Sequence, residues 1–377
     1  MERGPYISVV IPVKNGGNAF EQCLQGLATS NFKDYELIVV NDASKDNTVE
    51  TAKKYGARVL HTADFPFKHK PDYPFQDSMG PAGARNIGVS HANGEIIFFI
   101  DGDVVPKSDN LDRIANIFTE NKDIDAVFGT YDDSPGCTNL IGQYRNLLHS
   151  YIHQISLNEA ETFWTGCGAI RREVFIKMQG FDLKTFRLPS VEDIDLGYRL
   201  KDGGYRIYLD KRLQVKHLKQ WTLKSMLKTD IFHRAIPWSR IMFRRKSLPN
   251  DLNIQTHHRI SGVMVFMVFS LISLLAGYYV FKAGHYILFG GLSYNDVSIV
   301  VTVLSMVLIL MANVFFLNYK FYCFFWKRKG FWFMVRSIPL HFFYYFYSTV
   351  TFALFILDYY IPLFRKARKR LKFITHV

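Results

Sequence analysis

Three long apolar segments in the C-terminal half constrain the fold of this chain more than any other feature of its sequence. They cover residues 260–281, 297–319 and 337–357 and contain no Asp, Glu, Lys or Arg. Each is long enough to cross the hydrocarbon core of a bilayer. Because a chain in lipid must satisfy its backbone hydrogen bonds internally, such segments fold as helices. The sequence therefore predicts a transmembrane region of about three helices within residues 260–361.

The excess of basic charge lies in the second half of the chain. Residues 1–200 carry 20 Lys and Arg against 27 Asp and Glu, which leaves 26 basic and 6 acidic residues after them. This basic charge flanks the apolar segments, so its pattern favours anionic lipid headgroups over nucleic acid as the partner. We expect no nucleic-acid binding.

Three basic segments border the predicted spans. Residues 236–259 form a juxtamembrane segment, residues 320–336 mix aromatic and basic side chains as an interfacial helix does, and residues 362–377 form a tail. Basic loops tend to face the cytoplasm, which predicts a cytosolic side for the first two segments. Three crossings then place the tail on the opposite side, against the same rule. The side of the tail stays open.

The N-terminal half shows no sign of export. Its first residues lack the apolar core of a signal peptide. The four cysteines, Cys23, Cys137, Cys167 and Cys323, show no paired spacing of a metal or redox site. We therefore expect the first domain to lie in the cytosol and the chain to be an integral protein of a bacterial or archaeal cytoplasmic membrane.

Short apolar runs alternate with helical segments in the first half. Residues 7–13 and 36–40 are typical of buried strands, and a turn and a helix at about residues 19–29 separate them. A second helix follows and ends near Gly56. Strand and helix in alternation indicate an α/β fold, with a parallel sheet and right-handed crossovers.

An Asp-Gly-Asp sequence ends one of these predicted strands. The strand covers residues 95–100, and Asp101, Gly102 and Asp103 follow it directly. Two carboxylates two residues apart can share a hard divalent cation through oxygen ligands, and Gly102 lets the backbone turn and a diphosphate approach closely. A solvated Asp-Gly turn is the alternative interpretation.

Other candidate residues have a structural and a functional interpretation. Asp42 lies at the carboxyl end of a strand, where α/β sheets bind ligands, but it can also cap a helix. Arg85 can meet a phosphate or pair with an acid. The predicted strand that contains Gly166, Cys167 and Gly168 suggests close passage of a substrate, although a packing bulge needs the same glycines.

Two acids begin a predicted helix near residue 192. Glu192 and Asp193 lie in its first turn, where negative charge favours the helix dipole. A carboxylate at this place can also open toward a cleft and take a proton from an attacking hydroxyl. Both interpretations stay open on the residues alone.

The order and spacing of these motifs resemble those of family 2 glycosyltransferases with the GT-A fold. The resemblance spans about residues 6–220 and rests on Pro12-Val13-Lys14-Asn15, Asp42, Ala84-Arg85-Asn86 with Gly88, Asp101-Gly102-Asp103, Gly180-Phe181-Asp182, and Glu192-Asp193 before Leu196 and Arg199-Leu200. It implies a mixed, mostly parallel sheet with flanking helices in a catalytic domain at residues 1–235. It also implies inverting, metal-dependent transfer from a nucleotide sugar.

The resemblance further implies roles for individual residues. Pro12 and Asp42 would contact the base and ribose of the donor, whereas Asp101 and Asp103 would bind the ribose and an Mg²⁺ or Mn²⁺ ion. Asp193 would be the general base, and His217 falls where some members place a further metal ligand. The predicted donor site also includes Asn15, Arg85 and Gly102, and the predicted acceptor side includes Gly166, Cys167, Gly168 and Glu192.

The chain departs from the family pattern at two places. Members often begin with P-x-Y-N-E, but here the run is Pro12-Val13-Lys14-Asn15-Gly16, which leaves the donor preference open. Processive members carry Q-x-x-R-W after the base, and residues 230–238 contain no such element. This predicts the addition of a single sugar.

The predicted membrane helices suggest a membrane acceptor, because confinement to the bilayer raises its effective concentration. The sequence therefore predicts transfer to a lipid, with polyprenyl phosphate or a lipid-linked saccharide as specific cases, in cell envelope glycan biosynthesis. The alternatives are transfer to a non-lipid acceptor, a non-catalytic protein that binds nucleotide sugars, and a nucleotidyltransferase. The sequence does not discriminate among sugars or nucleotides.

Overall fold

The computed structural model describes residues 4–65, 78–186, 189–246, 252, 255–289 and 294–361, with the backbone alone given for 283–289 and 294–296. The chain divides into two compact units, Met1–Lys228 and Thr229–Val377. The predicted domain boundary at residue 235 and the predicted juxtamembrane segment at 236–259 stay predictions. The predicted basic tail at 362–377 lies outside the described residues.

A nine-stranded mixed sheet runs through the described part of the first unit. Its strands are β1 (Ile7–Val13), β2 (Tyr35–Asn41), β3 (Arg58–His61), β4 (Ile96–Ile100), β5 (Val104–Pro106), β6 (Ala126–Tyr131), β7 (Glu159–Ala160), β8 (Cys167–Arg171) and β9 (Ile207–His217). Their order is β3-β2-β1-β4-β8-β6-β9-β5, and β7 pairs with β9. Strands β3, β2, β1 and β4 are parallel, whereas β8 runs antiparallel to both β4 and β6.

Helices cover both faces of this sheet. They are α1 (Gly17–Ala28), α2 (Thr48–Lys54), α3 (Gly80–Ser90), α4 (Asn110–Glu120), α5 (Leu140–Ile155), α6 (Arg172–Lys177), α7 (Glu192–Asp202) and α8 (Leu223–Lys228). One apolar core packs α1 and α4 against the sheet, and a second packs α3, α6 and α7. Successive residues of a strand face opposite sides, so Val9 enters the first core and Val10 the second. Burial on both faces explains why β1 is apolar at every position except Ser8.

The parallel strands bring several predicted site residues to one edge of the sheet. Strand β1 pairs in parallel with β2, with Val13 opposite Asn41, and with β4, with Val10 opposite Phe99. The carboxyl ends of these three strands therefore lie together. The loops that follow them carry the residues of the candidate site.

The second unit is helical. A π-helical turn at Thr229–Ala235 leads into α9 (Ile236–Arg245), α10 (Thr256–Phe289), α11 (Tyr294–Leu317), α12 (Tyr319–Lys329) and α13 (Phe331–Tyr360). Among the described residues, three stretches are long and apolar enough to cross a membrane: Thr256–Lys282, Val297–Leu317 and Phe331–Tyr360. These stretches match the three predicted spans.

The helix predicted at 320–336 is shorter in the structure. Helix α12 ends at Lys329, and Gly330 has a φ of 88°, a conformation that glycine adopts without strain. Residues 331–336 instead begin α13.

Buried polar side chains join the helices of the second unit. The Tyr345 hydroxyl donates to Asn318 Oδ1 over 2.8 Å, and Asn318 Nδ2 donates to Ser261 Oγ over 2.9 Å. His258 Nδ1 lies 2.7 Å from the same tyrosine hydroxyl. Side chains of α10 and α13 and the residue between α11 and α12 are thereby linked.

Candidate functional site

The Asp-Gly-Asp sequence follows β4 at the carboxyl edge of the sheet, as predicted. The backbone turns directly after it, because Val104 N donates to the carbonyl oxygen of Asp101 over 3.2 Å. Gly102 does not have a positive φ, and an added Cβ would lie 3.4 Å from the Phe20 ring, an ordinary contact. The observed backbone conformation therefore does not require glycine at this position. Close approach by a donor stays a prediction.

Asp42 follows β2 and holds the beginning of α3. Its carboxylate accepts hydrogen bonds from Ser78 Oγ at 2.6 Å, Met79 N at 2.7 Å, Gly80 N at 3.0 Å and Thr62 Oγ1 at 3.1 Å. The side chain is buried. Asp42 therefore fixes the start of a helix far from it in sequence, rather than the neighbouring helix α2.

The loop after β1 is held against the loop after β2. Asn15 Oδ1 accepts from Lys45 N over 2.7 Å, and Asn15 N donates to Ser44 Oγ over 2.9 Å. Asn15 has a φ of 53°, which asparagine tolerates better than most residues. Pro12 lies within β1, one residue before Val13, whose pairing with Asn41 ends the β1–β2 ladder. Contacts of Pro12 and Asn15 with a donor stay predictions.

Arg85 bridges two acids that come from separate elements. Its Nη2 lies 2.5 Å from Asp101 Oδ1, and its Nη1 lies 3.6 Å from Glu192 Oε1. The Arg85 side chain is only 4% exposed, and its guanidinium also lies 5.9 Å from the centroid of the Phe181 ring. The structure thus shows the acid-pairing alternative for Arg85, which joins the Asp-Gly-Asp turn to the start of α7.

Burial and charge change the proton affinity of the bridged acids. Burial, supported by the charge of Asp193, raises the pKa of Glu192 to about 7, although Arg85 opposes this shift. Burial also raises the pKa of Asp101, with the charges of Asp103 and Asp193 adding to it and Arg85 again opposing. These mutual effects indicate that the four carboxylates lie within one electrostatic environment.

Asp103 faces His217, the last residue of β9. His217 Nε2 lies 3.7 Å from Asp103 Oδ2, and the Tyr131 ring stacks on the imidazole with 4.3 Å between centroids. Burial would raise the pKa of Asp103, but the neighbouring His217 imidazole and the charge of Lys219 outweigh it, and the pKa falls. The carboxylate is therefore held in its charged form, which is the form that binds a cation.

The carboxylate and imidazole groups at this edge suit a divalent cation that is bound partly by the substrate. Among the described residues, no three His, Cys, Asp or Glu side chains converge to a complete metal site. Asp103 and His217 nevertheless present an oxygen and a nitrogen ligand side by side, with Asp101 two residues away. Mg²⁺ and related ions commonly take one or two protein carboxylates and complete their shell with phosphate oxygens and water. The residues present fit such an ion.

Asp193 lies half-buried in the first turn of α7, beside the loop that precedes β8. Its Oδ2 accepts from Thr165 N at 3.3 Å and from Thr165 Oγ1 at 3.4 Å. Its charge raises the pKa of both Asp101 and Glu192. The predicted base therefore lies near the Asp-Gly-Asp turn.

Packing explains the glycines of the predicted acceptor side. An added Cβ at Gly166 would overlap the indole of Trp164, and one at Gly168 would overlap the carbonyl oxygen of the same tryptophan. Cys167 is fully buried, and burial raises the pKa of its thiol. Close packing is thus a sufficient structural explanation for the presence of these three residues. Their role on the acceptor side stays a prediction.

The sequence analysis missed an aromatic cluster beside Asp103 and His217. Tyr131 contacts both His149 and Trp164, with centroid distances of 4.4 Å and 4.9 Å, and it stacks on His217. These residues come from β6, α5, the loop before β8 and β9. No local sequence motif connects them, so the cluster could have been predicted only if the pairing of β6 with β9 had been known.

Comparisons with known proteins agree with this geometry. The family model described as Glycosyl transferase family 2 matches residues 8–179. An uncharacterized glycosyltransferase of Rickettsia prowazekii is 29% identical over 287 residues, which cover 70% of this chain and 80% of that protein. The glycosyltransferase GlyG of Streptococcus pneumoniae is 31% identical over 138 residues, which cover 34% of this chain and 41% of that protein. The match thus spans less than half of GlyG.

Among solved structures, a mannosyltransferase of Pyrobaculum calidifontis in complex with GDP-Man and Mn²⁺ has a similar fold. The TM-score is 0.52 at 15% sequence identity, and the alignment covers 85% of this chain and 87% of that chain. At this identity the likeness concerns the fold alone. It confirms the predicted fold, a GT-A mixed sheet with flanking helices followed by C-terminal apolar helices.

Proposed function

We propose that this chain, a family 2 glycosyltransferase of the GT-A fold with three C-terminal apolar helices, moves one sugar from a nucleotide sugar to a membrane lipid with inversion at the sugar carbon. One observation carries the proposal. Arg85 pairs with Asp101 at 2.5 Å and with Glu192 at 3.6 Å, so the Asp-Gly-Asp turn and the acidic start of α7 are held together. Sugar transfer requires that the residues that bind the donor and the residue that accepts the proton lie close together.

The donor end of the site includes Asp101, Asp103 and His217 as the residues that would hold Mg²⁺ or Mn²⁺. When bound, the ion would neutralise the charge that gathers on the leaving diphosphate. The Mn²⁺ and GDP-Man in the structurally similar mannosyltransferase support this assignment. Pro12, Asn15, Asp42 and Gly102 would line the nucleoside and diphosphate.

Asp193 would act on the acceptor. As the acceptor oxygen forms its bond to the anomeric carbon, the bond from that carbon to the diphosphate breaks, and the acceptor proton passes to the Asp193 carboxylate. The two hydrogen bonds from Thr165 orient this carboxylate. A single displacement of this kind inverts the anomeric configuration and needs no covalent intermediate. For a phosphate acceptor that is already ionised, Asp193 would orient the nucleophile instead.

The second unit supports a lipid as the acceptor. Its three apolar stretches are long enough to cross a bilayer, and the chain would thus meet a lipid acceptor confined to the same membrane. Polyprenyl phosphate and a lipid-linked saccharide are the specific cases. The proposal includes a cytoplasmic membrane with the sheet-bearing unit in the cytosol.

The test is donor turnover by the full-length protein in detergent. Nucleoside diphosphate release is measured for a panel of nucleotide sugars, with Mg²⁺ or Mn²⁺, with and without extracted membrane lipid. We expect release that depends on lipid and metal, and Asp193→Asn should lower kcat by about 10²- to 10⁴-fold while donor binding persists.

Asp195→Asn is the matched control, because Asp195 lies in the same helical turn but pairs with Arg199 over 2.8 Å. Its activity should remain within a few-fold of the wild type. Release without lipid would indicate a non-lipid acceptor, and release of pyrophosphate would indicate nucleotidyl transfer. Donor binding without turnover under every lipid condition would indicate a binding protein.

A further inference from the structure

A lysine beside the metal-binding pair is held in place by an aromatic ring. After β9 ends at His217, Leu218 N donates to the carbonyl oxygen of Asp103 over 2.8 Å, which ties this segment to the Asp-Gly-Asp turn. The next residue, Lys219, is exposed, and its Nζ lies 4.6 Å from the centroid of the Trp221 ring. A cation over an indole face is attracted by the ring quadrupole.

The Trp221 ring is itself fixed. It is 5% exposed, and the Arg145 guanidinium lies 4.3 Å from its centroid. The ring centroid lies 6.4 Å from that of His217. Trp221 therefore forms a rigid surface that carries Lys219 close to the proposed metal ligands.

Among the described residues, no group accepts a hydrogen bond from the ammonium of Lys219. Its Nζ contacts the Trp221 ring, and its charge lowers the pKa of Asp103. An ammonium carries three donors on a compact charge, which suits the oxygens of a phosphate. A cation at this place would contact an anion that reaches the Asp103–His217 pair from solvent.

We propose that Lys219, held over Trp221 beside Asp103 and His217, forms an anion subsite that takes a phosphate group. The inference rests on the proposed function, and it adds a binding residue outside the predicted set. The phosphate comes either from the donor diphosphate or from a phosphorylated lipid acceptor. In both cases the lysine contributes positive charge next to the ion that the acids would hold.

Lys216 provides a matched control on the same strand. It is also an exposed lysine, but it lies between buried Val215 and His217 within β9. Side chains alternate along a strand, so Lys216 faces away from the side occupied by His217. Replacing either lysine by methionine removes one positive charge and keeps a chain of similar length.

The experiment uses the full-length protein in detergent with MnCl₂. Binding of inorganic pyrophosphate is measured by calorimetry, and steady-state kinetics give KM for donor and for lipid acceptor. We expect Lys219→Met to weaken pyrophosphate binding about tenfold, as the loss of one charged hydrogen bond does. Lys219→Arg should keep most of the affinity, and Lys216→Met should match the wild type.

The kinetic arms distinguish the two sources of phosphate. A rise of about tenfold in donor KM alone assigns the subsite to the donor diphosphate, and a rise in acceptor KM alone assigns it to the lipid phosphate. Unchanged pyrophosphate affinity and unchanged KM values in Lys219→Met overturn the inference. Equal losses in Lys219→Met and Lys216→Met also overturn it, because they indicate a general charge effect.

Failure of the proposed function is separable from failure of this inference. The pyrophosphate titration requires no turnover, so it tests the subsite even if no nucleotide sugar is consumed. Absence of nucleoside diphosphate release from every donor contradicts the proposed function alone.

Discussion

Glu192 gives the folded protein a dependence on pH that a single substitution should remove. Its side chain is 6% exposed and lies 3.6 Å from the Arg85 guanidinium, and burial raises its pKa from 4.5 to about 7. Glu192→Gln replaces the carboxyl with an uncharged amide of nearly the same shape. The amide oxygen can still accept the hydrogen bond that Ser190 N donates to Glu192 Oε2 over 2.8 Å.

The sign and size of the effect follow from linkage. Because the folded pKa lies above the ordinary value, the folded protein keeps a proton that the unfolded chain releases between pH 4.5 and about 7. The stabilisation is complete below pH 4.5 and is lost as the pH rises through about 7. At ~1.4 kcal/mol for each pH unit, the loss reaches about 3 kcal/mol of unfolding free energy.

The assay is thermal unfolding of the full-length protein in detergent at pH values from about 5 to 8.5. A loss of about 3 kcal/mol lowers the Tm of a domain of this size by roughly 6–12 °C. We expect Glu192→Gln to match the wild type near pH 5 and to unfold at a higher temperature near pH 8. Glu173→Gln, which removes an exposed carboxylate in α6, should follow the wild type at every pH.

One result would refute this reasoning. If Glu192→Gln is less stable than the wild type near pH 8, the charged Arg85–Glu192 pair outweighs the desolvation of the carboxylate. The acid would then be ionised in the folded protein at neutral pH.

Two further predictions follow from the geometry of the sheet. His217→Asn should raise the Mn²⁺ concentration that gives half-maximal activity by at least about tenfold, because the imidazole beside Asp103 is lost. The transfer rate measured against Mn²⁺ concentration checks this. An unchanged half-maximal concentration would show that His217 is not a metal ligand. Gly129→Ala should lower the free energy of unfolding by about 1–3 kcal/mol or more, because the added Cβ would overlap the carbonyl oxygen of Leu213. Gly277→Ala is its control, since an added Cβ there meets no atom of the described residues within 4 Å outside its own helix backbone, and equal stability of the two variants would contradict the argument.

The first strands and their edge could be predicted because their signals are local. Strand β1 was predicted at residues 7–13 and lies at Ile7–Val13, and the strand before Asp101 was predicted within one residue of β4. An apolar run that ends in turn-forming or acidic residues specifies a buried strand and its carboxyl end. The antiparallel insertion of β8 between β4 and β6 is different. It depends on pairings between segments far apart in the chain, which no local pattern encodes.

The partners of the charged residues could not be predicted for the same reason. The sequence left Arg85 with a phosphate or an acid as its partner, because an arginine carries no local sign of which anion it meets. One of its two acids follows β4 and the other begins α7, and the fold brings them together. The glycines near residue 167 were equally ambiguous, since close packing against Trp164 requires the same small residues as close passage of a substrate.

Asp42 shows why the role of an aspartate at the end of a strand cannot be assigned from activity measurements alone. Its carboxylate holds the start of α3, α3 carries Arg85, and Arg85 holds Asp101 and Glu192. A substitution of Asp42 would therefore move the acids of the site even if the carboxylate never touched a donor. Loss of activity in such a variant fits both the predicted ribose contact and a positioning role. Only donor affinity measured with the Arg85 contacts intact separates them, because the loss of a ribose contact lowers donor affinity without displacing α3.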